Sequence, residues 1–184
     1  MQKVQRSEIL DLQTYDRERP RLRPAAMEAK EVRRIHVGPH LTFLFENRET
    51  VRYQIHEMVR AERLFREEEI AHELETYNEL LGGPGELGCS LLIEIPDPRE
   101  RDEKLRAWLR LLEHLYARLP DGRKVRPSYD PRQVGEERLS SVQYLKFDVK
   151  GTLPEAVGCD LPDLAAETVL SPAQRQALAE DLRP

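Results

Sequence analysis

Gly88-Cys89-Ser90-Leu91-Leu92-Ile93-Glu94-Ile95-Pro96-Asp97-Pro98-Arg99-Glu100 is the stretch that decides the fold class. Residues 89–95 form a short apolar run between a glycine and a proline, the pattern of a buried strand. Asp97 then offers a helix N-cap, Pro98 carries the fixed φ of a first helical position, and Glu100 places an acid in the first turn. A strand is thus followed at once by a helix, and the same mixture recurs on both sides.

On the C-terminal side, Leu105, Trp108, Leu109, Leu112, Leu115, Tyr116 and Leu119 recur at helical spacing and predict one helix over about residues 98–119. Asp121-Gly122 turns the chain toward strands at 124–129 and 142–149. A last strand near 168–170 precedes Ser171-Pro172, which caps a short terminal helix. On the N-terminal side, Ile35, Val37, Leu41, Phe43 and Phe45 flank Gly38-Pro39 as a hairpin over 32–46. Asn47 or Thr50 caps a helix expected over about 48–81, with Val51, Ile55, Met58, Phe65 and Leu80 inward and Gly82-Gly83-Pro84 at its end. Before the hairpin, a helix from Ser7 to Arg19 is interrupted by Pro20 and Pro24 and restarts over 25–30. The expected fold is α+β: a mainly antiparallel sheet packed by two long helices, about 48–81 and 98–119, with short terminal helices. It forms a single domain over 1–184, on which residues 1–30 pack as a helical arm.

With 184 residues, 39% hydrophobic and 34% charged, the chain can bury a core beneath a densely charged surface. Its net charge of -5 gives no broad positive field, which argues against nucleic acid as a partner. The local exception is the arm that carries Arg17, Arg19, Arg21, Arg23, Lys30, Arg33 and Arg34, interleaved with Asp16, Glu18, Glu28 and Glu31. Cys89 and Cys159 lack metal-cradle spacing and read as free thiols of a reducing compartment. No apolar run approaches the ~20 residues that span a bilayer. The expected location is cytoplasmic, away from membranes.

Two constellations carry candidate chemistry. Glu62 and Glu69 fall near the centre of the stripe expected inside the long helix, and Glu69 with His72 has the Glu-x-x-His spacing of carboxylate-bridged metal proteins. With His36 and His40 beside the hairpin turn, or with residues of a second subunit, they could hold iron, manganese or zinc. The plainer reading pairs the carboxylates with arginines such as Arg60, Arg63 and Arg66. The second constellation, Arg48, Arg52, Tyr53, Gln54, Glu57 and Arg60, lies at the start of the same helix, where an N-terminus favours an anion. No nucleophile elbow, P-loop or dinucleotide fingerprint is present.

Val37-Gly38-Pro39, Phe45-Glu46-Asn47-Arg48, Thr50-Val51-Arg52-Tyr53-Gln54-Ile55, Glu57-Met58 and Arg60-Ala61-Glu62 together resemble the signature of domain of unknown function 3501. The likeness continues through Glu73-Leu74, Tyr77-Asn78, Ile93-Glu94, Asp97, Glu100-Arg101, Ser140-Ser141-Val142 and Leu145-Lys146-Phe147. Gln143 stands where the family pattern has His, and Asp160-Leu161-Pro162 where it has Asp-His-Pro, so any role of those histidines is missing here. The resemblance implies a compact cytoplasmic protein whose relatives are encoded near rubrerythrin-like and iron-sulfur proteins.

Three functions remain in view. The first is a noncatalytic accessory or interaction protein, a homodimer, working beside a rubrerythrin-type oxidative-stress system. The second is a metal-dependent redox or hydrolytic enzyme built on Glu62, Glu69 and His72. The third is a small anionic-ligand binding module.

Overall fold

Short apolar runs become strands and capped periodic runs become helices in a computed structural model that describes residues 2–183. The first half of the chain gives α1 (Leu12–Glu31), β1 (Arg34–Val37), β2 (Leu41–Glu46), α2 (Arg48–Ala61), α3 (Glu67–Asn78) and β3 (Glu86–Ile93). The second half gives α4 (Pro98–Ala107), α5 (Leu111–His114), β4 (Leu115–Arg118), β5 (Lys124–Val125), β6 (Val142–Asp148), β7 (Ala156–Cys159), β8 (Ala166–Val169) and α6 (Pro172–Asp181). The fold is α+β. All named strand pairs are antiparallel, but they divide between two four-stranded sheets, β1-β2-β3-β6 and β5-β4-β7-β8, where one had been expected. No helix is long and apolar enough to cross a membrane among the described residues.

Alternation along β2 sends Leu41, Phe43 and Phe45 into the main core. There they join Leu91 of β3, Phe147 of β6 and, from the second sheet, Leu115 and Val157, with Leu105, Trp108 and Leu112 also in the cluster. Burying each of the three phenylalanines contributes roughly 2–3 kcal/mol. The opposite face of the first sheet carries Arg34, Leu44, Ser90 and Tyr144 as cross-strand neighbours, with Glu46 at the end of β2. That face meets the helices. Val51, Ile55 and Val59 of α2, Ile70 of α3 and Leu81 just beyond it form a smaller cluster with Val4 and Ile9 of the N-terminal segment.

The single helix expected over 48–81 is two. Glu62 is the C-cap of α2, Arg63 takes a left-handed φ of 52°, and Leu64 N–H bonds Val59 O at 3.0 Å, the closing bond of a Schellman turn. The turn brings Leu64 onto the smaller cluster and leaves Phe65, placed on the inner stripe from sequence, 70% exposed. The helix expected over 98–119 also stops early. α4 ends at Trp108, α5 is one turn, and residues 115–118 pair with β7. Leu115 and Leu119 fit a period of two as well as the helical period, Ala117 fits only the period of two, and burial against the second sheet decides between them. In the arm, Pro20 and Pro24 interrupt nothing: both lie inside α1, which gives up two ladder bonds on a largely exposed helix.

Side chains fasten what strands do not. The Asn78 amide pairs with both backbone groups of Val4, at 2.8 and 3.0 Å. Gln133 does the same for Tyr144, with both bonds at 2.8 Å, and Ser128 pairs with Lys146, so the outer edge of β6 is occupied. Arg33 forms a two-pronged ion pair with Asp181, at 2.7 and 2.9 Å, with both side chains 7% exposed.

Candidate functional site

Thr50, Tyr53, Gln54 and Glu57 recur at i, i+3, i+4 and i+7, which gives α2 a polar stripe beside its apolar one. At one end it meets the sheet: buried Glu46 accepts from Thr50 Oγ1 at 2.5 Å and from Ser90 Oγ at 2.7 Å. These two hydroxyls satisfy the carboxylate without a direct ion pair among the described residues. Lys30, in the last turn of α1, sits 5.1 Å from the centre of the Tyr53 ring. Burial holds its ammonium below the ordinary lysine range, Glu46 and Glu57 pull it back up, and Arg34 pushes it down. Arg34 Nε is buried with no hydrogen-bond partner among the described residues.

At the other end of the stripe, Glu57 fixes the arm. It accepts from Tyr15 Oη at 2.6 Å and from both prongs of Arg19 at 2.7 and 2.9 Å, which lowers its carboxyl to about 2. Next to it, His56 stacks on Tyr15 with ring centres 4.5 Å apart, and its Nε2 accepts from Leu10 N–H at 3.0 Å. Burial depresses His56 to about 4, so the ring is neutral near pH 7. A cavity of about 230 Å³ lies here between α1 and α2, with Arg21, Glu49, Arg52, Tyr53 and His56 in its wall.

A larger cleft, of about 740 Å³, opens between α3, β6 and the segment around 128–133. Tyr77, Tyr129, Tyr144, His72, Leu80 and Gln133 line it. Burial raises the Tyr77 and Tyr144 hydroxyls, helped by the charges of Glu73 and Glu46 respectively, so both remain protonated donors at neutral pH. Its volume falls within the size range of ligand pockets, and its walls are partly aromatic.

The residues proposed as metal ligands are dispersed. Glu62 caps α2, Glu69 accepts the Arg66 N–H as the third residue of α3, and His72 borders the cleft. His36 Nδ1 contacts Thr42 Oγ1 at 2.8 Å, and His40 leans on Trp108 with ring centres 5.7 Å apart. No group of three or more His, Cys, Asp or Glu side chains is placed to hold a metal among the described residues. The proposed ligand set divides. Arg48, Arg52 and Arg60 are taken by Glu8, Glu49 and Asp16, while Tyr53, Gln54 and Glu57 share the polar stripe. From sequence, Lys30 and Arg34 belong only to a charged arm, and Glu46, Ser90 and Tyr144 have no site role. The alternation of β2 about Phe43 and Phe45 was the signal for Glu46; the pairing of Ser90 and Tyr144 needed the strand order.

An α+β protein with two antiparallel sheets, a helical arm and a polar layer between helices and sheet is the class these features define. The chain belongs to the family described as protein of unknown function (DUF3501), which matches residues 3–182. Among solved structures it is similar to a novel protein of unknown function from Burkholderia pseudomallei K96243, a crystal structure at 1.90 Å resolution. The two are 28% identical with a TM-score of 0.89, over 99% of this chain and 100% of that one. No curated protein matches the sequence.

Proposed function

We propose that this chain is a noncatalytic accessory protein that works by binding, and that the cleft between α3 and β6 receives a Lys- or Arg-bearing segment of a partner protein. The observation that carries this reading is the cleft itself: about 740 Å³ with three tyrosines in its wall. Tyrosines offer broad contact area at little entropic cost and attract cations to their ring faces. Among the described residues Glu75 and Glu79 on the α3 side form no ion pair, Arg132 is paired with Asp130, and Lys146 is the one unpaired lysine or arginine of the wall, so the net charge left on the wall is negative and favours a basic occupant. The family resemblance supports a rubrerythrin-like or iron-sulfur protein of an oxidative-stress system as the partner to try first. The accessory protein would act in the cytoplasm as a homodimer of one-domain subunits.

The test mixes the purified chain with the purified rubrerythrin-type protein of the same organism and follows fluorescence anisotropy, with light scattering to give the mass of the free chain. Saturable binding is expected, weakened about tenfold or more in Tyr144→Ala and by added salt. No binding, or binding indifferent to Tyr144→Ala, would sink the reading.

A further inference from the structure

We infer that Lys30 and Arg34 form a binding site for a small oxyanion, a carboxylate or phosphate group on a compact molecule, between the end of α1, strand β1 and the Tyr53 ring. The site is separate from the α3–β6 cleft and does not depend on it. Its first support is what the neighbouring arginines do. Arg33 is clamped by Asp181, Arg19 by Glu57 and Arg48 by Glu8, each at hydrogen-bond distance. Arg34, one residue from Arg33, makes no ion pair among the described residues, and its buried Nε has no acceptor. Arg48 Nε is also without a bond, but that guanidinium spends its Nη2 on Glu8.

The second support is Lys30. Its ammonium lies over the Tyr53 ring with no carboxylate at ion-pair distance among the described residues. Both nearby carboxylates are already engaged: Glu46 by the Thr50 and Ser90 hydroxyls, Glu57 by Arg19 and Tyr15. Two cations therefore stand against the single uncompensated charge of Glu46, and Arg34 is close enough to make the Lys30 charge harder to hold. An oxyanion between them would supply the acceptor that Arg34 Nε lacks and relieve the repulsion between like charges. The planar guanidinium suits two oxygens of one carboxylate or phosphate, the ammonium acts as a point charge on a third contact, and the Tyr53 ring offers a flat wall to the rest of the ligand.

The experiment titrates the full chain with inorganic phosphate and, separately, with succinate, by calorimetry at constant ionic strength. Saturable binding of at least one is expected, weakened about tenfold or more in Lys30→Met and in Arg34→Gln and unchanged in Arg17→Gln, an exposed residue of the same arm. A readout on the unaltered protein guards against variants that do not fold: acetylation of Lys30, followed by mass spectrometry, should slow in the presence of the bound anion. Binding of neither anion, binding that survives both substitutions, or Lys30 acetylation indifferent to saturating anion would overturn the site.

Discussion

Arg63 holds a left-handed backbone that glycine adopts without steric cost, at the turn where α2 gives way to α3. Arg63→Gly is expected to stabilise the protein by about 1 kcal/mol, read as a raised urea midpoint with an unchanged slope. His56 gives a pH dependence. Its folded value, about 4, lies below the ordinary 6.5, so the unfolded chain takes up the proton first. Its contribution is complete above about pH 6.5 and is lost as pH falls toward 4, an effect of about 3 kcal/mol. Glu57, lowered from 4.5 to about 2, adds a loss of the same sign further into acid. His56→Gln should flatten the decline of the urea midpoint between neutral pH and pH 4, and an unchanged decline would contradict this account. Neither effect was legible beforehand: Arg63 sat in an unbroken helical pattern, and His56 is buried by Tyr15 and Leu10, more than forty residues away in sequence.

At the scale of elements, the ion pair of Arg33 and Asp181 joins the start of the first hairpin to the end of α6. Removing one member of a buried pair leaves the other charge uncompensated, so Asp181→Asn should cost about 3–5 kcal/mol in chemical denaturation. Gln133 closes the edge of β6 as a neighbouring strand would. Gln133→Ala should free the Tyr144 N–H and C=O and give concentration-dependent association in light scattering, while a variant that stays dispersed would show that Ser128 alone guards the edge. The strands and caps of this chain were readable because each depends on neighbours in sequence: Asp97 caps α4, Asn47 caps α2, Ser171 caps α6. The ends of the two long helices were not, because Leu64 and Leu115 chose their directions by packing against residues far along the chain.

For the whole molecule, the α+β class followed from local alternation and periodicity, whereas the division into two sheets did not. β8 was expected near 168–170, but its partner β7 is a four-residue run that was not, and β4, which pairs with β7 some forty residues on, carries the helical spacing of Leu115 and Leu119. The polar layer under α2 was half visible: its helical members were named, and its strand members waited on which face of β2 turned inward. The Arg33–Asp181 clamp also imposes an order in time. During synthesis the hairpin that begins at β1 is made early, yet the buried guanidinium beside it has no counter-charge until residue 181 has been joined to the chain. Burial of that guanidinium is therefore expected to wait for α6, so that the start of the hairpin closes onto α6 as a long-range event.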